Sequence, residues 1–131
     1  MHPFRAAVEA RDYEAIANLL ADDVVFYSPV AHKPYQGKFV VGMILGTVIQ
    51  IFENFHYQRE IGAEGDADHA LVFGCQIDGL DMQGCDFLTM NDEGKITEFT
   101  VMLRPLRVVG MFAEKMKVKF AEAMAAMEAA K

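Results

Sequence analysis

The sequence predicts an α+β domain in which helices come first and an antiparallel meander follows. Apolar residues recur at helical spacing in the first twenty residues and again over residues 38–54. Three turn signals then divide residues 55–103 into four β-type runs, and a last helical stripe fills 104–131. A chain of 131 residues suits one domain, able to bury roughly two-thirds of its unfolded surface. With 53% hydrophobic and 24% charged residues it is globular, and the apolar surplus is enough to line a ligand pocket or a subunit interface.

The elements follow in order. Phe4, Ala7 and Val8 mark a first short helix. Asp12 is placed to cap a second, with Ile16, Leu19 and Leu20 as its apolar stripe. Val24, Val25, Phe26 and Tyr27 form a β-rich run that delivers Ser28 to its end, after which a loop runs on to Gly37. Residues 38–54 read as a helix covered on most sides, with Val41, Ile44, Leu45, Val48, Ile49 and Phe52 as core positions. Gly42 and Gly46, one turn apart, would permit a close approach or serve tight packing.

The turn signals at Gly62 to Asp68, Asp78-Gly79 and Asn91 to Gly94 separate runs near 55–62, 69–78, 82–91 and 95–103. Arg104-Pro105 then opens a helix, with the proline at its first position. Val109, Phe112, Met116, Phe120, Met124 and Met127 recur along one face. Continuous to the end, it would be ~40 Å long and overhang the domain or dock on a partner. There is no internal repeat.

Composition also excludes some functions. A net charge of −7 repels phosphate backbones and anionic membranes, which argues against nucleic acid and membrane partners. The charge is uneven: residues 104–131 carry 6 basic and 3 acidic side chains, read as a solvated helix face. No signal-peptide pattern is present, and the apolar stretch from Phe39 to Phe52 is too short to span a bilayer, so a soluble, cytoplasmic protein is expected. Cys75 and Cys85 lack metal or redox spacing and read as reduced, buried side chains. His2, His56 and His69 are scattered, so no metal site is expected. No glycine-rich nucleotide signature is present, and no cofactor is expected.

Particular residues carry a resemblance. Asp12-Tyr13-Glu14-Ala15-Ile16, Ala21-Asp22-Asp23-Val24, and Pro29-Val30 with Pro34 and Gly37 resemble the first half of bacterial ketosteroid isomerases. Asp86-Phe87-Leu88-Thr89-Met90-Asn91 with Gly94-Lys95-Ile96 resembles their later hairpin. The resemblance covers most of residues 4–103. It implies the SnoaL-like, nuclear transport factor 2-like fold, a cone-shaped curved antiparallel sheet with packed N-terminal helices enclosing an apolar pocket; the C-terminal helix over 104–131 lies outside the resemblance, and the chain is read as a single domain over 1–131. It further implies isomerase- or cyclase-like proton transfer on a carbonyl or polycyclic substrate.

Carried over residue by residue, the resemblance is incomplete. The proton-shuttling aspartate of the isomerases falls on Ser28, a far weaker base, and their first-helix tyrosine falls on Phe4, which has no donor. Only Asp86 matches, as the protonated aspartate that stabilises a dienolate oxygen; the handling of such an acid by its apolar surroundings is a known case of pKa tuning.

On an apolar strand Asp86 should be paired or held neutral. It is either a pocket acid or a structural or solvent-facing group. His32, in the loop after Ser28, could replace the missing base, the competing reading being a solvated histidine beside Lys33. Tyr13 and Tyr35 are possible phenolic donors, and Arg59 and Asp78 could join Asp86 in an acid-arginine-acid site. Phe99, Val101 and Leu103 alternate along one strand face and, with the resemblance, are read as lining the pocket. Asp86 and His32 are thus the candidate catalytic pair, and Phe4, Ser28, Phe99, Val101 and Leu103 the substrate-binding residues. The expected partners are a small hydrophobic molecule and a second copy of the chain, joined through the outer sheet face. The rival reading is a noncatalytic ligand-binding or interaction module that has lost the isomerase pair.

Overall fold

The computed structural model describes residues 1–130. Helix α1 (Pro3–Glu9) starts with proline at its first position, and its N-cap is His2, whose Nδ1 accepts from the Phe4 N–H at 3.0 Å. Helix α2 (Tyr13–Asn18) is capped as expected by the Asp12 carboxylate, which accepts from Ala15 N–H at 3.0 Å. It is shorter than its apolar stripe suggests, because Leu20 already belongs to β1 (Leu20–Tyr27). A two-residue strand β2 (Tyr35–Gln36), not foreseen in the loop, pairs back on β1.

Helix α3 (Lys38–Ile51) begins after Gly37, whose φ of 101° is open to glycine at little cost, and stops short of Asn54, with Phe52 as its C-cap. A Cβ on Gly42 would stand 3.9 Å from Leu20, an ordinary contact, and one on Gly46 would meet open space. Neither glycine is needed for a close approach.

Strands β3 (Glu53–Ile61), β4 (Asp68–Ile77), β5 (Leu80–Met90) and β6 (Ile96–Arg104) form the meander. Asp78 and Gly79 both have positive φ, as a two-residue hairpin turn with the right-handed twist of its strands requires. At the next turn Asn91 Oδ1 accepts from the Glu93 and Lys95 N–H groups at 2.9 Å each. The strands assemble in the order β2-β1-β6-β5-β4-β3 into one curved, unclosed sheet. One pairing departs from the antiparallel expectation: β1 runs parallel to β6. The chain returns to β6 only after β2, α3 and the three strands β3 to β5, so no hairpin constrains its direction.

Helix α4 (Leu106–Ala129) follows, with Pro105 as its N-cap rather than its first helical residue. Two apolar clusters result. One joins α1, α2 and α3 to the inner face of the sheet. The other is closed by Val108 and Phe112 of α4 against Ile51, Phe73, Ile77 and Met82. Cys75 is buried, whereas Cys85 is only half-buried, contrary to the sequence reading.

Candidate functional site

Two rungs of the sheet lay out one wall of an internal cavity. Leu71, Asp86 and Val101 stand in line on β4, β5 and β6, and beside them Tyr57, Phe73, Gly84 and Leu103 stand in line on β3 to β6. Residues opposite one another on antiparallel strands share a face, as do residues two apart along a strand. Tyr57, Asp86, Val101 and Leu103 accordingly all line the same space. Gly84 has a steric role. A Cβ there would lie 2.7 Å from Leu103 Cδ2 and closer still to the Phe73 ring, so the glycine makes room for that ring across β5.

Helices close the other sides. Phe4 of α1 meets Phe99 edge-on, with ring centroids 5.1 Å apart, and Phe26 packs on Phe99 at 5.5 Å. Phe52 packs on Phe55, Phe73 and Phe112 at 5.4–5.7 Å. Val48 and Ile49 come from α3, and Met116 from α4. The space between these walls is about 60 Å³ and partly open to the surface. That is room for a few water molecules, and less than the ~150 Å³ in which an apolar cavity takes up benzene. A ring-bearing ligand therefore requires side chains to move.

Against this apolar lining, three polar groups stand out. Asp86 is 7% exposed, and burial alone pushes its carboxyl up to about 8. Among the described residues nothing hydrogen-bonds to it, so at neutral pH it is chiefly the neutral acid and able to donate. The Tyr57 hydroxyl is buried without a partner. Burial first, then the nearby Asp86 carboxyl, raises it well above the usual phenol value, so it stays protonated. Its ring is held by the Arg5 guanidinium, 5.3 Å from the centroid, and Arg5 is itself tied to Glu9 at 3.1 Å and Glu60 at 3.8 Å. Third, Ser28 Oγ accepts from the Val30 and Ala31 N–H groups at 3.1 and 3.2 Å. Those bonds occupy the oxygen's lone pairs and leave the O–H free to donate, which suits a donor and not a base.

The structure thus brings together Asp86, Phe4, Ser28, Phe99, Val101 and Leu103 around one cavity. It does not bring His32 there: that histidine is exposed on the loop before β2 and outside the lining. Tyr13 is exposed at its helix start, and Tyr35 packs against Phe120 at 6.2 Å, outside this cavity. Arg59 is exposed, and Asp78 pairs with Lys115 at 3.1 Å at the β4–β5 turn, so neither joins Asp86. No cluster of three or more potential metal ligands occurs among the described residues.

Tyr57 was not anticipated. The signal was present in the alternation of Phe55 and Tyr57 with His56 and Gln58, which puts both rings on the covered face.

A family model described as the SnoaL-like domain matches residues 2–99. A steroid delta-isomerase from Pseudomonas aeruginosa superposes with a TM-score of 0.86 at 35% identity, over 93% of this chain and 89% of that one. An uncharacterized protein with a cystatin-like fold from Silicibacter pomeroyi superposes with 0.83 at 37% identity, over 91% and 86%. An NTF2-like protein from Cytophaga hutchinsonii, at 16% identity and 0.62 over 82% and 88%, shares the fold. No curated protein matches the sequence.

Proposed function

The chain belongs to the SnoaL-like domain family, and on that footing we propose that it binds a small, apolar, oxygen-bearing molecule in the cavity beneath α1 and α3 and supports isomerase- or cyclase-like proton transfer on a carbonyl or polycyclic substrate. One observation carries this reading: two donors without protein partners, the neutral Asp86 carboxyl and the Tyr57 hydroxyl, are buried in an otherwise apolar enclosure. Buried polar groups are normally satisfied, and a pair left open in one cavity is suited to a ligand oxygen. Both donate hydrogen bonds to that oxygen, and they do so more strongly as it gains charge on the way to an enolate. The resemblance to a steroid delta-isomerase at 35% identity supports the substrate class. Phenols mimic the enolate form and are the natural probes.

A second reading has its own observation. Because Ser28 Oγ is engaged by two backbone N–H groups, the strand end offers no base, and the cavity then serves as a noncatalytic binding module.

The test of the binding claim is thermal unfolding and calorimetry with planar phenols. Saturation at a hundred times the dissociation constant should stabilise the native state by about 2.7 kcal/mol. Tyr57→Phe and Asp86→Asn should each weaken binding tenfold or more. Equal affinity in wild type and both folded variants would overturn the assignment.

A further inference from the structure

The cavity beside Asp86 is too small for a ring as its walls stand, yet it is not isolated. A groove of about 430 Å³ lies against it, between the loop that follows β1 and the middle of α4. Cavity and groove share Phe26, Ser28, Ile44 and Met116 as lining residues. The rest of the groove is largely apolar, with Val30, Ala31 and Tyr35 on one side and Ala113 and Phe120 on the other. Glu114 and Lys117 are exposed at its rim. Of the shared residues, Phe26 and Ile44 are fully buried core, and Ser28 is fixed by its two backbone bonds. Met116 differs. It is half-buried on α4, unbranched and with three rotatable bonds, so its side chain is the movable part of the partition.

We propose that cavity and groove are two parts of one binding site, divided by Met116, and that the ligand is elongated. Its oxygen-bearing head reaches Asp86 and Tyr57, and an apolar tail lies in the groove along α4. This rests on the binding reading above for the head and adds the tail subsite. The volumes favour it: ligand pockets generally hold about 300–1,000 Å³. The inner cavity alone falls far short of that range, and the groove brings the site into it. The match to the SnoaL-like domain ends at residue 99, so the subsite is formed in large part by a helix beyond the matched region. Met116 becomes the residue that sets tail length and width, and the Ser28 hydroxyl, on the boundary, is free to donate to a second ligand oxygen.

The experiment is calorimetric titration with a series of 4-alkylphenols from methyl to octyl, and in parallel with n-alkanols of the same chain lengths. In the wild type, affinity for the phenols should rise about fourfold per added methylene as the tail fills the groove. Ala113→Trp, and independently Ala121→Trp, fill the groove from exposed or half-buried helix positions and should reduce the gain to less than 1.5-fold per methylene. A gain below 1.5-fold in the wild type, or one unchanged in both tryptophan variants, overturns the groove. Failure of the head reading looks different: the alkanols and alkylphenols would show the same chain-length gain while Tyr57→Phe left phenol binding untouched.

Discussion

At the scale of single residues, the chemistry of the cavity turns on where protons sit. Asp86 is an acid kept neutral by burial, Tyr57 a phenol that does not ionise, and Ser28 a hydroxyl whose oxygen is already engaged. The enclosure has donors and no ordinary base, which is why chemistry is limited at position 28. Ser28→Asp is expected to confer measurable isomerisation of a small β,γ-unsaturated ketone, followed by the absorbance of the conjugated product. The introduced carboxylate would remove the α-proton and return it to the γ-carbon, while Asp86 and Tyr57 hydrogen-bond to the dienolate oxygen. No gain over the parent in a folded variant would count against isomerase-like geometry. Asp86 was legible in the sequence because a carboxylate on an apolar strand needs an explanation. Tyr57 is harder to find, because a strand run of rings does not by itself say which face is covered, and His32 has the right chemistry for a base but a loop position that leaves it at the surface.

At the scale of elements, the cavity depends on one glycine. Gly84→Ala places a Cβ against the Phe73 ring and Leu103, and Phe73 is 1% exposed and hemmed in by Phe52 and Phe55. Overpacking of this kind costs about 1–3 kcal/mol, measurable by urea unfolding, and should also weaken phenol binding as Phe73 is driven into the cavity. An alanine tolerated on both counts would mean that the ring relaxes elsewhere.

The strands and hairpin turns were legible because alternation and turn residues are local signals: Asp78-Gly79 specifies its own turn wherever the sheet lies. Besides the short β2, three features were not. Leu20 fits an amphipathic helix and a buried strand equally well, so its pattern could not place the end of α2. The parallel pairing of β1 with β6 is set by the return path of the chain, and no local residue encodes it. The role of α4 in closing the cavity, through Phe112 and Met116, depends on its docking angle, although its apolar stripe was plain.

At the scale of the whole molecule, α4 is about 36 Å long, and most of its last ten residues are exposed or half-buried, Met124 among them at 38%. Among the described residues no helix is long and apolar enough to cross a membrane. On the outer face of the sheet Phe87 and Met102 are 43% and 58% exposed on adjoining strands. We propose that this face joins two copies of the chain; light scattering at micromolar concentration should give a dimer mass, and a monomer mass would refute it.

The central claim, that the fold holds Asp86 neutral for donation, also has a thermodynamic consequence. Its carboxyl titrates at about 8 in the folded chain against 3.8 as the ordinary value, so between those limits the folded state holds a proton that the unfolded state has released. The contribution of Asp86 to stability then falls as pH rises through that window and levels off above about 8. Asp86→Asn removes this slope. The most direct measurement is the unfolding free energy of wild type and Asp86→Asn from pH 5 to 9. The wild type should lose stability relative to the variant steadily up to about pH 8. A difference that does not change with pH, or one that favours the wild type as pH rises, would mean that Asp86 is ionised in the fold and would contradict the account.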